Sequence, residues 1–170
     1  TAYTTLATMM QLFGEDGGFD FMKGLHSNIN QYTKSGSAPI KAAGRGETTI
    51  GIVFMHDAVK QAVNGFPVKV VAPAEGTGYE IGSMSIIDGA RNMKEAKAFY
   101  DWALSADAQN LALEVNAFQV PSNTGAKTSA SAPDMSTIKL IDYDFKTYGS
   151  SATRKRLLKK WDDEVSVLAQ

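Results

Sequence analysis

The chain has 170 residues, with 17 Lys+Arg against 18 Asp+Glu and no cysteine. That length suits one compact domain or at most two small lobes. A 44% hydrophobic and 21% charged share excludes bulk disorder. The formal net charge of −1 leaves no basic footprint for nucleic acid. The lack of cysteine excludes a disulfide framework, a thiolate zinc site and a cysteine nucleophile.

The unbroken apolar stretches are short, such as Ile52-Val53-Phe54-Met55, so no membrane-spanning helix is expected. The chain opens on Thr1-Ala2-Tyr3, without an initiator Met or a signal-peptide pattern, and runs directly into a helical pattern. The expectation is a mature, trimmed or truncated product.

Tyr3, Leu6, Met10 and Phe13 recur at helical steps, which predicts a helix over 2–13 with Thr1 as N-cap and Gly14 as its stop. Phe19, Met22, His26 and Ile29 predict a second helix over 19–29. Ser37 followed by Pro39 predicts a short third helix from 38 to about 44. Residues 49–54 are β-branched and apolar and read as a buried strand, followed by a helix from His56 to Asn64 and a second strand over 68–72. Strand, helix, strand at this spacing is a βαβ unit with parallel strands. A third strand is expected over 81–87.

Further on, Ala96, Phe99, Tyr100 and Ala103 define the apolar side of a helix over 94–104. Ser105 caps another helix, about 106–115, and 118–121 is a short extended piece. Residues 122–136 hold no large apolar residue except Met135 and read as a surface excursion or linker. The last helix, 151–168, carries Leu157, Leu158, Trp161, Val165 and Leu168 as its buried face.

Several chemistries are absent. Gly76-Thr77-Gly78-Tyr79-Glu80-Ile81-Gly82 is one residue too long for a dinucleotide fingerprint and enters a predicted strand instead of a helix. Gly44-Arg45-Gly46-Glu47 has no P-loop Lys-Ser/Thr, and there is no HExxH and no GxSxG. The basic run Arg154-Lys155-Arg156…Lys159-Lys160 is followed by Asp162-Asp163-Glu164, which neutralises it along the helix.

Candidate site residues follow from the rule that open parallel sheets bind ligands beyond the carboxyl ends of their strands. His56 and Asp57 come directly after the strand 49–54, and Glu80 lies between two further predicted strands. Each also has a plain structural role: Asp57 as a first-turn acid of its helix, His56 as a satisfied structural histidine, Glu80 as an exposed loop carboxylate. Helix starts supply a second set, Thr1 and Ala2 on the first helix and Ser35-Gly36-Ser37 on the third, whose free N–H groups suit phosphate or carboxylate. Ser37 also reads as a simple cap. Two acids with a histidine, together with donor-rich helix ends, fit a ligand of mixed character. A sugar phosphate, an amine-bearing phosphonate and a metal with a bound anion all satisfy that pattern.

The blocks TAYTTLATMMQLFGED, QYTKSGSAPIKAAGRGE, GIVFMHD and GYEIGSMSIIDGARNMKEAKAFYDWALSADAQ resemble the periplasmic substrate-binding proteins of bacterial ABC importers. The resemblance is to the subgroup labelled iron(III)-binding, which includes sugar-phosphate and aminoethylphosphonate binders. It covers essentially the whole chain and corresponds to the C-terminal half or somewhat more of such a protein.

It implies an α/β fold, a three-layer parallel-type sheet lobe of a type II two-lobe binding protein, with C-terminal helical segments that normally pack on the other lobe. On that resemblance 1–80 is the second, ligand-binding lobe, and 81–170 is a crossover strand plus segments largely belonging to the first. The first helix start (Thr1, Ala2) and the Ser35–Ser37 loop would carry over as anion contacts. Ferric binders of this type carry two adjacent tyrosines after the strand equivalent to 49–54. This chain has His56-Asp57 there and no Tyr-Tyr pair, and with Tyr79-Glu80 it looks like the sugar-phosphate branch, in which these side chains hold the sugar part.

The expected function is therefore that of a non-enzymatic periplasmic receptor for a small anionic solute. Its partners would be an ABC permease in the inner membrane and an N-terminal lobe missing from this chain. No cofactor, resident metal or nucleic acid is expected. Ferric iron or 2-aminoethylphosphonate binding by the same fold remains open, as does a small α/β enzyme using His56 and Asp57. Without the other lobe, 81–120 and the last helix should expose an apolar surface or self-associate.

Overall fold

A computed structural model describes residues 2–168. It contains seven helices among the described residues: α1 Ala2–His26, α2 Ala38–Gly44, α3 Met55–Val63, α4 Met93–Ala103, α5 Ala106–Glu114, α6 Phe145–Tyr148 and α7 Ser151–Glu164. A single 3-10 turn spans Met135–Thr137. The chain groups into two compact units. One comprises the residues up to Phe54, Val71–Glu80 and the chain from Met135; the other comprises Met55–Val70 and Ile81–Asp134.

In the first unit, the two helices expected over 2–13 and 19–29 are arms of α1 joined at Gly14. Gly14 has φ 74° and ψ 169°, a conformation outside the helix that costs glycine little. The second arm begins directly after the kink and ends at His26 instead of 29. α7 packs along this bent element. Leu6, Met10, Phe19 and Met22 of α1 close with Leu157 of α7 and Val165 just beyond it into one buried cluster, flanked by Tyr3, Leu158 and Trp161. α7 stops at Glu164, so Leu168, expected on its buried face, is largely exposed.

Charge also crosses between these helices. Arg156 donates to both carboxylate oxygens of Glu15 at 2.7 and 2.9 Å, Lys160 adds a 3.3 Å contact, and Lys23 pairs with Glu164 at 3.0 Å. Only Lys159–Asp163 follows the expected pairing along α7 among the ion pairs described. The basic run is thus neutralised largely by α1, because the bidentate fork of Arg156 finds a better-placed carboxylate there than on its own helix.

In the second unit, α3 and α5 match their expected positions, and Ala58, Val59 and Phe118 are buried. Ser105 caps α5 by accepting from the Ala108 N–H at 3.2 Å. The stretch read as a linker is tied down at its start. The Asn123 side chain donates to the Leu104 carbonyl (2.8 Å) and accepts from the Gly125 N–H (2.9 Å). The Asn110 side-chain oxygen accepts from the Lys127 N–H at 2.7 Å. Polar side chains here replace the apolar anchors whose absence suggested a free linker.

The expected strands 49–54, 68–72 and 81–87 are the main departure. All three segments lack strand assignment, and the described residues contain one isolated bridge, the parallel pair Thr77 and Leu140. β-branched composition favours extended backbone, but a ladder needs a neighbouring strand to exchange N–H and C=O bonds. Consistent with that, Ile50, Val71, Ile81 and Ile87 are each more than half solvent-exposed. α4 buries none of its residues, and Phe99 and Trp102 are exposed together with ring centroids 5.4 Å apart. The exposed apolar surface expected over 81–120 is therefore present, whereas the last helix, expected to share it, packs its apolar face on α1.

Candidate functional site

The start of α1 is built on a tyrosine-rich corner within the first unit. The Thr77 N–H donates to the Lys139 carbonyl at 2.9 Å, and the Ile141 N–H donates to the Thr77 carbonyl at 3.1 Å. This bridge lays residues 77–80 beside 139–143. Gly78 rests directly on Thr8: a Cβ at Gly78 would collide with the Thr8 hydroxyl and lie 3.2 Å from its Cβ and 3.3 Å from the Tyr143 ring. Tyr79 packs edge-on against Tyr143 and Phe145, with centroids 6.1 and 5.3 Å away, and Tyr143 lies 4.8 Å from Phe145. At these separations the three rings fill one another's space and form a wall, with no room for a guest between them.

Glu80 follows on this wall. Its Oε1 accepts a hydrogen bond from the Thr4 hydroxyl in the first turn of α1. No acid of α1's own sequence lies in that turn, so Glu80 supplies through tertiary structure the negative charge favoured at a helix start. Its charge also reaches Tyr143. Burial raises the Tyr143 phenol above its ordinary value, and the neighbouring Tyr3, Glu80 and Tyr148 add to the shift. Burial likewise raises Tyr3 and Tyr148, although Arg154, whose guanidinium sits 5.1 Å over the Tyr3 ring, opposes the shift at Tyr3.

The remaining sequence-derived candidates are placed as follows. Thr1 lies outside the described residues, and Ala2 is the exposed first residue of α1. Ser35 and Gly36 are exposed on the turn before α2. The Ser35 carbonyl accepts from the Thr33 hydroxyl (2.8 Å) and from the Ala38 N–H (3.2 Å). Ser37 occupies the N-cap position of α2 with helical φ and ψ and makes no side-chain cap bond; its hydroxyl lies 3.5 Å from that of Ser35. The capping role is thus not realised by its side chain.

In the second unit, His56 and Asp57 occupy the first turn of α3, half-buried, with Nε2 and Oδ2 3.8 Å apart. That spacing exceeds a hydrogen bond but lies within ion-pair reach when the imidazole is protonated. Among the described residues, no group of three or more His, Asp or Glu side chains is arranged to hold a metal ion.

Two concavities lie elsewhere. One, of about 480 Å³ in the second unit, is lined by apolar Met55, Val59, Val63, Val70 and Pro133 with Ser131. The other, of about 330 Å³ in the first unit, is lined by His26, Tyr32, Trp161, Ser166 and Leu168. None of the candidate residues lines either.

Sequence reading missed Thr4, Thr8 and Tyr143. A Thr in a helical pattern and a Tyr in a loop carry no signal of their own. The one available clue was the pair of threonines at positions 4 and 8, which share one face of a helix that must meet something polar.

Comparison with known proteins fits this architecture. Residues 1–147 match the family model of the bacterial extracellular solute-binding proteins, and the chain belongs to that family. It is 51% identical over 168 residues to an uncharacterised protein of Haemophilus influenzae, covering 98% of this chain and 49% of that one. It is 23% identical over 144 residues to an Fe(3+)-binding periplasmic protein of Serratia marcescens, covering 81% and 41%. Among solved structures it is similar to the periplasmic binding protein AfuA from Actinobacillus pleuropneumoniae with exogenous fructose-6-phosphate bound, at TM-score 0.93 and 52% identity over 99% of this chain and 53% of that one. It is also similar to the periplasmic binding protein P5PA, at TM-score 0.89 and 41% identity over 98% and 53%. The chain thus spans about half the length of the relatives it matches. Those with a stated role are named as binding proteins.

Proposed function

We propose that this chain is part of the periplasmic receptor of an ABC importer that captures a small phosphorylated solute, such as a sugar phosphate, and delivers it to a permease in the inner membrane. The observation that carries the reading is the Glu80 carboxylate held at the start of α1 by Thr4. A fixed carboxylate suits the hydroxyls of a neutral polyol and repels a bare anion. The likeness to AfuA, whose structure holds fructose-6-phosphate, supports the same solute class.

His56 and Asp57 are proposed solute-binding residues in their own unit, tested apart from Glu80. Ala2, Ser35, Gly36 and Ser37, together with Thr1 outside the described residues, are proposed contacts for the anionic group. The extended segments 49–54, 68–72 and 81–87 are read as sheet strands whose ladder partners belong to the remainder of a protein about twice this length. In that whole protein, lobe closure around the solute would be driven by tighter binding to the closed form.

Ferric binding is the second reading, favoured by the Serratia relative. The replacement of a Tyr-Tyr pair by His56-Asp57 argues against it. Calorimetry on the intact protein with fructose 6-phosphate, 2-aminoethylphosphonate and ferric citrate tests the proposal. Heat and a thermal shift with the sugar phosphate are expected; a response to ferric citrate alone would reject it. Replacing Glu80 by Ala, and separately His56 and Asp57 by Ala, should each weaken sugar-phosphate binding while sparing the fold.

A further inference from the structure

We infer that the basic run of α7 is a splint that sets the bend of α1. The solute-binding proposal makes no use of this run, and the inference does not depend on that proposal. The break itself has no steric support: Gly14 leaves the helix at φ 74° and ψ 169°, and a Cβ added there would meet nothing within 4 Å. The angle between the two arms is therefore set by what packs on either side of the break. On the buried side, Gly18 presses on the first arm so closely that a Cβ would come 2.9 Å from the Met9 carbonyl and 3.0 Å from the Met10 sulfur. On the exposed side, the rings of Phe13 and Phe21 meet across the bend with centroids 5.5 Å apart.

Apolar contacts of this kind are non-directional, and α7 adds directional ones. Arg154 lays its guanidinium 5.1 Å over the ring of Tyr3 on the first arm. Arg156 donates to both carboxylate oxygens of Glu15, the residue directly after the break. Lys160, one turn further along α7, places its ammonium 3.3 Å from the same carboxylate and 4.5 Å over the ring of Phe19 on the second arm. Three basic side chains of one helix thus grip the first arm, the bend and the second arm. A change in the bend would separate Glu15 from Phe19, the two partners that the Lys160 ammonium serves at once. A bidentate guanidinium and a cation over a ring both depend on geometry, so they resist that change. The Arg156 hydrogen bonds hold the Glu15 carboxyl below the usual carboxylate range, which keeps the splint charged at neutral pH. Lys159 takes no part, because it pairs with Asp163 of its own helix.

The test is amide hydrogen exchange on the intact protein, read over residues 15–22 of α1. Lys160→Met removes the charge at similar side-chain length, and exchange there should rise about three- to fivefold, the scale of a partly exposed ion pair, while α2 stays unchanged. Glu15→Gln should raise exchange over the same residues. Lys160→Met added to it should have less effect than alone, because the shared ion pair is already gone. Asp163→Asn breaks the pair within α7 and should leave exchange over 15–22 as in the parent. Raising the salt from about 0.01 M to about 1 M should speed exchange over 15–22 in the unmodified protein, a measurement that serves if a variant does not fold. An equal rise throughout the chain, or a rise with Asp163→Asn as large as with Lys160→Met, would overturn the splint. So would exchange over 15–22 that responds neither to Lys160→Met nor to salt.

Discussion

Truncating Leu157 to Ala should be among the most damaging single changes in the first unit. Leu157 is fully buried and closes α7 onto α1 through Leu6, Met10, Phe19 and Met22, with Val165 beside it. The change removes three carbons, worth about 2.4 kcal/mol of lost transfer at ~0.8 kcal/mol per methylene. A cavity remains behind. Met10 and Met22 line it, and their unbranched, flexible side chains can collapse partly into the space. The total should therefore be about 3 kcal/mol, toward the lower end of the range for buried Leu→Ala changes. At ~2–4 °C per kcal/mol for a chain of this size, the melting temperature should fall by about 6–12 °C. Urea denaturation followed by circular dichroism, with Lys155→Ala as an exposed control expected within ~0.5 kcal/mol of the parent, measures the loss. A loss for Leu157→Ala under about 1 kcal/mol would show that the α1–α7 cluster does not hold the unit together.

Three further outcomes follow from the same unit. Glu15 is held below the usual carboxylate range, first by the Arg156 hydrogen bonds and then by Lys160 against the opposing effect of burial. Its stabilisation is present above the unfolded carboxyl pKa and is lost as pH falls through the lower folded value. Glu15→Gln should cost about 1 kcal/mol at neutral pH and low salt, discounted for partial exposure, and nothing in acid; a pH series of urea midpoints reads the convergence. His26 is buried, with Nδ1 2.9 Å from the Tyr32 hydroxyl and Nε2 3.1 Å from the Leu168 carbonyl. His26→Phe should cost about 1 kcal/mol by removing both hydrogen bonds, since the exposed partners Tyr32 and Leu168 can turn to water, a loss that His26→Gln reduces in thermal melts. Ser150 caps α7 by accepting from the Thr153 N–H at 3.2 Å, so Ser150→Ala should lower stability by about 1 kcal/mol and increase amide exchange in the first turn of that helix.

The solute-binding reading and the exposed apolar surface are linked. Ile50, Val71, Ile81, Ile87 and Phe99 are exposed in a chain that spans about half of its relatives' length. Burial of a β-branched segment is not a local property. It requires a second layer, and Ile50, Ile52, Val71, Ile81 and Ile87 of these segments are exposed.

The amino-acid sequence by itself determined most of the helices, although it did not mark α6 and ran α7 on to 168, four residues past its end. Periodic apolar residues and short-range signals located α2, α3, α4 and α5 to within a residue or two at each end, and Gly14 marked the break in α1, because helical hydrogen bonds and caps are made within a few residues of one another. The sequence also singled out His56, Asp57 and Glu80 as chemistry-bearing positions. Tertiary structure alone decided what each of them meets. The Thr4–Glu80 bond joins residues 76 positions apart, the Arg156–Glu15 pair joins residues 141 apart, and the Thr77–Leu140 bridge is likewise long-range. Strand pairing belongs to the same class. A segment's composition favours extension, but its ladder depends on which other chain folds beside it, and no local periodicity encodes that partner.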